Sequence, residues 1–462
     1  MKRNRPIARF TPTPAIIVAA VVTCIAASAS WAATSAGTTA SSTAHGGSSL
    51  SAQTPKADEI VNVLLLGDYN TRLVVIGTAV LGTAAGFIGT YLLLRKRALM
   101  GDALSHATLP GIAAAFMLMV AMGGTGKFLP GLLLGALVFG MIGVGMVLLV
   151  RNMTRIKDDA ALGIALSVTF GLGIVLIGII QDMGASGASG INTFIYGKTA
   201  SIIRSDVVLI SCAALFVTLL SILLYKEFAV LCFDESFAAA QGWPVLALDI
   251  LMMMLVAIIT VIGLQAVGLI LMIALLIIPP AAARFWTEHL GRLMVASAVI
   301  GGVSGWLGAS ISALIPRLPA GAIIVVVSAA LFAVSMIVGV RRGLLVVLIE
   351  RFRLVRKVQH QHLLRALYEE WETQAAEVSD RQIRFNDLLR RRSWSAVHLQ
   401  RQLKGAQRDG LIEQTNDETW CLTKEGQHEA ARVTRNHRLW ELFLITHAEI
   451  APSHVDRDAD QI

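Results

Sequence analysis

Long apolar runs follow one another along most of the chain, with short polar interruptions between them. A run of about 20 apolar residues is what an α-helix needs to cross the hydrocarbon core of a bilayer. Seven separate runs meet this length, and they cover residues 72–94, 103–122, 128–150, 160–181, 206–225, 293–315 and 320–340. The pattern therefore predicts an all-α polytopic membrane domain.

The block 245–283 is too long for one span. Its 39 residues are interrupted by VIGLQAVG at 261–268, which predicts two helices joined by a short turn. The total is then about nine transmembrane helices, which take an outside N-terminus to an inside C-terminus. The inner loops carry nine Lys and Arg residues against four in the outer loops, as the positive-inside rule requires. A single helix in this block would instead place the basic tail from Arg341 outside.

The N-terminus has the pattern of a signal peptide. Basic residues at positions 2, 3, 5 and 9 precede an apolar run at 15–27 and the small-residue sequence SASWAA, so cleavage is expected near Ala29 or Ala32. A retained N-terminal helix is the alternative to a cleaved segment at 1–32. Residues 33–58 are rich in Ser, Thr, Ala and Gly, and this composition predicts a flexible linker on the outer side.

Composition supports the membrane assignment and narrows the function. The chain of 462 residues is 55% hydrophobic and 15% charged, which excludes an ordinary soluble protein. Its formal charge of +8 gathers beside the apolar runs, so it reports membrane topology rather than a nucleic-acid partner. The four cysteines have no CxxC spacing, so they support neither a disulfide framework nor a thiolate zinc site. Glycines within the spans favour close helix packing.

From Arg341 onward the composition becomes that of a soluble domain. A basic juxtamembrane connector at 341–358 precedes a domain at 359–462. Apolar periodicity predicts helices at 359–377, 382–391 and 424–447, a helix-turn-helix at 394–409 and a two-stranded wing in GLIEQTNDETWCLT. The sequence thus predicts a small cytoplasmic winged helix-turn-helix domain.

A basic cluster lies in and before the predicted recognition helix. Its members are Arg390, Arg391, Arg392, Arg401, Lys404 and Arg408. Such a cluster can contact nucleic-acid phosphates, but anionic lipid attracts the same charges. We expect a regulatory or dimerisation module, and the basic cluster fits contact with nucleic acid as well as contact with anionic lipid.

Asp102 and His106 are the ionisable pair with the clearest candidate chemistry. They stand four residues apart at the edge of an apolar run, so a helix places them on one face. Carboxylate and imidazole together suit Mn, Fe, Zn or Co, and ionisable groups in a membrane usually face an ion path or a partner. The alternative is that Asp102 caps a helix N-terminus and His106 lies in a polar interface.

The connection at 225–244 is amphipathic, with apolar residues interleaved with charged ones. It is suited to a short helix presented to another protein, although a loop that folds back on its own bundle fits the pattern nearly as well. The chain contains no GxxxxGK[ST] sequence, so it is not expected to hydrolyse ATP itself.

Residues 60–340 resemble the permease subunits of ABC importers for manganese, zinc and iron. The resemblance rests on LMGDALSHATLPGIA, ALGIALSVTFGLGIVL, FIYGKTASIIRSD, VLCFDESFAAAQG, GLQAVGLILMIALLIIPPAAA and LPAGAIIVVV. It implies a type II-like importer permease in the bacterial inner membrane, working as a homodimer or beside a second permease. The implied partners are a cytoplasmic ABC ATPase and an extracytoplasmic metal-binding protein.

The same resemblance gives roles to particular residues. Asp102 and His106 match the motif for metal contact along the pathway, and two copies would form a four-residue site. The loop at 226–245 matches the ATPase docking segment, so Phe233, Glu235 and Gly242 become candidate contacts.

The C-terminal region resembles the iron- and manganese-dependent winged-helix repressors. The resemblance rests on KGAQRDGLIEQ, LTKEGQHEAA and HRLWELFL. It implies that His437 and Glu441 belong to an ancillary metal site and that Asp460 matches the first position of the closing metal motif. The early helix has His362 and Arg365 where acidic or soft ligands are expected, and an arginine cannot ligate a metal. A complete regulatory metal site is therefore not expected.

Together these features predict a non-enzymatic permease subunit of an ATP-driven importer, most readily for Mn(II), with Zn(II) or Fe(II) as alternatives. No permanently bound cofactor is expected. The absence of cysteines from the proposed pathway argues against Cu(I). Two other hypotheses remain: a membrane-tethered metal-responsive transcriptional sensor, and an ATP-independent carrier or channel.

Overall fold

The computed structural model describes residues 68–124, 126, 128–182, 197–315, 318–373, 382–391, 394–416 and 418–447. The predicted signal peptide and the linker lie outside these residues. The chain divides into two compact units, one ending at Val346 and the other beginning at Val347.

The first unit is entirely helical in its described residues. Its α-helices are α1 Tyr69–Leu94, α2 Met100–Ala121, α3 Leu129–Met153, α4 Asp158–Asp182, α5 Arg204–Leu223, α6 Tyr225–Phe233, α7 Glu235–Ala240, α8 Val245–Val267, α9 Leu269–Ala283, α10 Leu290–Leu314 and α11 Ala320–Val338. Eight of them are long and apolar enough to cross a membrane, and the shorter α9 is also apolar. The predicted polytopic helical bundle is confirmed.

The break inside the 245–283 block falls at Gly268. This residue has φ +86°, a value that glycine adopts without the steric cost of a Cβ. The chain folds back there, since a Cβ on Gly263 would lie only 2.2 Å from the sulfur of Met272. The prediction of two helices is therefore correct. The second is short: at 15 residues α9 spans about 22 Å, less than the hydrocarbon core of a bilayer.

Contacts between distant segments define two ends of the bundle. At one end Arg95 donates a 2.7 Å hydrogen bond to the Leu231 carbonyl, and Arg151 lies 3.6 Å from Glu235. We call this the basic end. At the opposite end the amide of Lys198 donates to the carbonyl of Ala266. Successive helices run between these two ends.

Small residues bring α1 and α10 into close contact. A Cβ on Gly82 would lie 2.3 Å from the Gly301 carbonyl oxygen, so this approach excludes any side chain. The Ser297 hydroxyl donates a 2.6 Å hydrogen bond to the carbonyl of Gly86 at the same interface. The expected close packing through small residues is therefore present between α1 and α10. It does not extend to every glycine, since Gly145 has nothing within 4 Å of its Cβ position.

The second unit is a winged helix-turn-helix. Its elements are α12 Leu344–Thr373, which begins in the first unit, then β1 Ile383–Arg384, α13 Phe385–Arg391, α14 Ala396–Arg408, β2 Ile412–Asn416, β3 Thr419–Leu422 and α15 Lys424–His447. The core includes Leu363, Leu367, Leu399, Leu403 and Trp420. The predicted wing and last helix are confirmed.

Two details of this unit differ from the sequence prediction. The first helix begins at Leu344, so most of the connector at 341–358 is helical. The sheet has three antiparallel strands in the order β1-β3-β2, not two. The additional strand, β1, pairs Ile383 with Trp420 and is only two residues long, too short to show an alternating pattern in the sequence.

Candidate metal pathway

Asp102 and His106 lie on one face of α2, near its N-terminus. Nε2 of His106 is 3.4 Å from Oδ1 of Asp102, and the side chains are 19% and 31% exposed, respectively. The helix cap is Leu99, which makes no side-chain capping bond. Asp102 sits in the first turn, so its contact with His106 takes the place of the capping role considered from the sequence.

The rest of the His106 ring is enclosed. The ring packs edge-on against Phe170 of α4, with centroids 5.0 Å apart and an interplanar angle of 84°. Its Nδ1 is buried and has no hydrogen-bond partner among the described residues. The described residues thus leave one polar atom of this imidazole unsatisfied, which costs free energy.

The pair offers one oxygen and one nitrogen, close enough to bind the same cation. It does not form a full coordination shell, because no group of three or more His, Cys, Asp or Glu side chains suited to a metal occurs in the described part of the chain. A cation bound by this pair would therefore need further ligands from elsewhere.

Tight packing fixes the helix that carries the pair. A Cβ on Gly111 would lie 2.2 Å from the Gly135 carbonyl oxygen of α3. On the α4 side, a Cβ on Gly173 would lie 2.9 Å from the Cβ of Leu109. The part of α2 that follows His106 is therefore held closely by both neighbouring helices.

The segment α6–α7 at the basic end combines buried and exposed aromatic residues. Phe228 and Leu231 of α6 are buried in the bundle, whereas Phe233 and Phe237 are exposed. Both interpretations of the sequence thus hold in part: α6 folds back on the bundle and α7 presents apolar groups outward. Gly242, just after α7, has φ +81° and nothing within 4 Å of its Cβ position.

The N-terminus of α7 is held by Asp234. Its carboxylate accepts hydrogen bonds from the Ser236 hydroxyl at 2.7 Å and from the Phe237 amide at 2.9 Å. The bond from Ser236, and then that from Phe237, lower the pKa of the Asp234 carboxyl below its ordinary value. The cap fixes the orientation of α7 and of the adjacent Glu235.

The candidate regulatory ligands in the second unit contact an arginine. Nη1 of Arg365 lies 2.5 Å from Nε2 of His437, and its Nη2 lies 3.7 Å from the Glu441 carboxylate. Nε of the same guanidinium donates a 2.7 Å bond to Glu369. A metal ion would have to occupy the place of this cation, so His437 and Glu441 do not fit an open metal site. Asp460 lies outside the described residues.

The structure describes four of the six side chains in the basic cluster. Arg401, Lys404 and Arg408 are exposed on one face of α14, which we call the basic face, opposite the buried Leu399 and Leu403. Arg390 is exposed at the end of α13, while Arg392 and the side chain of Arg391 lie outside the described part of the chain. The charges on α14 are available to an anionic partner.

Sequence reasoning missed a buried ionic group at the basic end. Asp249 binds Arg95 and Arg97 there, and all three side chains are 5% exposed. A signal was available, because Asp249 is the one charged residue in the apolar block 245–283. An isolated carboxylate in such a run requires a buried partner.

The helical bundle is that of a polytopic membrane protein. The chain belongs to the ABC 3 transport family, whose profile matches residues 68–339. Residues 423–462 match a second profile, described as the iron dependent repressor, metal binding and dimerisation domain.

Individual relatives agree with this family. The manganese transport system membrane protein MntC of Bacillus subtilis is 36% identical over 396 residues, which cover 86% of this chain and 88% of that protein. The zinc transport system membrane protein TroC of Treponema pallidum is 42% identical over 289 residues, covering 63% and 95%, respectively. Among solved structures, PsaBC from Streptococcus pneumoniae in complex with Fab has 30% identity and a TM-score of 0.53, covering 62% of this chain and 97% of that one. The chain is thus a permease of a metal ABC importer.

Proposed function

We propose that the chain is the permease subunit of an ATP-driven Mn(II) importer, with Zn(II) or Fe(II) as the alternative cargo. The observation that carries this proposal is the Asp102–His106 pair, in which a carboxylate oxygen and an imidazole nitrogen lie 3.4 Å apart. This donor set suits Mn(II) and Fe(II) at least as well as Zn(II). The manganese system named for the Bacillus subtilis relative supports the same choice.

The remaining ligands would come from a second permease chain. A two-fold axis beside α2 would bring two Asp102–His106 pairs together as a four-residue site. Apolar side chains on α4, including Val168 and Val175, are exposed in the single chain. Lipid or a second permease can cover them. A homodimer and a pair with a different permease both satisfy this requirement.

The energy would come from a separate ATPase. Phe233, Glu235 and Gly242 lie in or beside the α6–α7 segment, and we assign the exposed surface of this segment as the docking site of the ATPase. The basic end then faces the cytoplasm, in agreement with the positive-inside rule. The opposite end receives the metal from an extracytoplasmic binding protein.

The second unit would follow the last membrane helix into the cytoplasm. Its match to a repressor domain favours a regulatory or dimerisation role. The contact of Arg365 with His437 argues that this role does not depend on a metal bound there. Transcriptional sensing by the basic face of α14 is the alternative function.

Radiolabelled Mn(II) uptake tests the proposal. Cells expressing the chain with its binding protein and ATPase should accumulate Mn(II), with Zn(II) and Fe(II) as competitors to rank the metals. His106→Ala should abolish uptake without loss of membrane insertion. His289→Ala is the matched control, because His289 is exposed and lies outside α2.

Either of two results would count against the proposal. Uptake by His106→Ala at the wild-type rate would make His106 structural. A wild type that transports none of the three metals would favour the transcriptional sensor instead. In that case neutralising the basic face, and not Asp102→Ala, should abolish function.

A further inference from the structure

A network of charges with a buried centre joins four segments at the basic end. We call it the arginine network, and its members are Arg95, Arg97, Arg151, Glu235 and Asp249. Arg97 donates to both Asp249 carboxylate oxygens, at 2.9 and 2.8 Å. Arg95 lies 3.1 Å from Asp249 and 3.2 Å from Glu235. The network therefore connects α8 to α7 through the residues that precede α2.

The charge balance of the network depends on α7. The two most buried arginines, Arg95 and Arg97, face one buried carboxylate, Asp249, so the inner part carries an excess positive charge. Nη2 of Arg97 is buried without a hydrogen-bond partner among the described residues. Glu235 of α7 is 45% exposed and supplies the second negative charge. Moving α7 away would leave Arg95 buried and insufficiently paired, which is strongly unfavourable.

Arg95 and Arg97 lie in the chain immediately before α2, the helix that carries Asp102 and His106. Arg95 and Arg97 flank Lys96, a non-glycine residue at φ +57° that forms the sharp turn between α1 and α2. The Arg97 carbonyl accepts from the Met100 amide at 2.9 Å, and the Leu99 carbonyl accepts from the Asp102 amide at 3.1 Å. A displacement of this turn is thus passed by backbone hydrogen bonds to the first turn of α2.

We propose that Asp249, Arg95 and Arg97 are positioning residues that couple movement of α7 to the Asp102–His106 pair. When α7 moves with the ATPase, Arg95 follows Glu235 or loses its balancing charge. The turn at Lys96 then shifts against the fixed Asp249 and changes the placement of Asp102. This inference rests on the proposed function, because it assigns the α6–α7 segment as the ATPase contact.

Coupling is measured as metal transported per ATP hydrolysed. The importer is reconstituted in proteoliposomes with its ATPase and binding protein, and Mn(II) uptake and ATP hydrolysis are recorded together. For Asp249→Asn we expect ATP hydrolysis within about twofold of wild type and a ratio of Mn(II) to ATP at least about tenfold lower. A purely structural role would instead lower uptake and hydrolysis together.

Asp206→Asn is the matched control. Asp206 is also a buried carboxylate with a cationic partner, 2.8 Å from Lys198, but it lies at the opposite end of the bundle. We expect its ratio of Mn(II) to ATP to equal that of wild type. A lower ratio in this control, equal to that of Asp249→Asn, would show a general effect of disturbed buried charge and overturn the inference.

Glu235→Gln keeps the test decisive if Asp249→Asn fails to fold. Glu235 is about half exposed, and the substitution removes the charge with little change of shape. Because Glu235 is also a proposed docking contact, the ratio is measured only on a folded variant that co-purifies with the ATPase to the wild-type extent, and it is expected to be reduced. An unchanged ratio in Glu235→Gln, or in folded Asp249→Asn, overturns the inference while leaving the importer intact. Absence of Mn(II) uptake by the wild type would instead overturn the proposed function itself.

Discussion

Replacing Arg365 should create a metal site at the position that its guanidinium now occupies among the described residues of the second unit. The guanidinium lies among His437, Glu441 and Glu369, at 2.5, 3.7 and 2.7 Å, respectively. Arg365→Glu would exchange this cation for a fourth potential ligand. The donor set would then contain one imidazole and three carboxylates, which suits Mn(II).

Coulomb's law gives the magnitude of the effect. A divalent ion about 4 Å from a guanidinium is repelled by about 2 kcal/mol at the dielectric of water and by about 8 kcal/mol at an effective dielectric of 20. The Arg365 side chain is only 12% exposed, so its environment lies between these limits. Even the smaller value weakens binding by about 30-fold.

Titration of Mn(II) into the purified full-length chain, followed by electron paramagnetic resonance, measures this difference. His106→Ala is included throughout, so that the membrane pair does not contribute. We expect at least about 30-fold tighter binding when Arg365→Glu is added, and loss of the gain when His437→Ala is added as well. Arg365→Met serves as a neutral variant if the extra carboxylate destabilises the unit.

One result would refute the reasoning. If the chain with Arg365 intact bound Mn(II) as tightly as the Arg365→Glu variant, and His437→Ala removed that binding, the guanidinium would be displaced readily. The second unit would then be a metal sensor despite the contact in this structure.

Three further predictions concern packing, docking and the basic face. Gly135→Leu should lower the stability of the bundle by about 2 kcal/mol through overpacking, because a Cβ at position 135 would lie 2.5 Å from the Cβ of Ala115. Thermal melting measures this loss, and Gly145→Leu is the control that should melt as the wild type does. Asp234→Ala should weaken ATPase co-purification by removing the α7 cap. The pKa of the Asp234 carboxyl is lowered in the folded chain. The stability that the cap contributes is therefore fully present above the ordinary carboxyl pKa, and it is lost as the pH falls through the lowered pKa. Neutralising the basic face should leave Mn(II) uptake unchanged and reduce binding to anionic vesicles or DNA in a salt-dependent way; loss of uptake would contradict this.

The elements of the fold could be predicted from the sequence because their signals are local. The length of each apolar run predicts a membrane helix. In the block 245–283, the positive-inside rule favoured two helices over a single one. The position of the break is set by Gly268, where a glycine allows a backbone angle that other residues avoid. The strand at 383–384 was missed since two residues carry no periodicity.

The chain by itself determined the Asp102–His106 pair, because a spacing of four residues is enough to bring two side chains together on a helix. Only the tertiary structure decided the partners of Asp249 and His437. Asp249 is 152 residues from Arg97, and His437 is 72 residues from Arg365. Such pairs form when helices pack, and packing depends on the close approach of distant surfaces rather than on any local pattern. The sequence therefore predicts the candidate metal contacts on α2, whereas the tertiary structure shows the charged partners of Asp249 and His437.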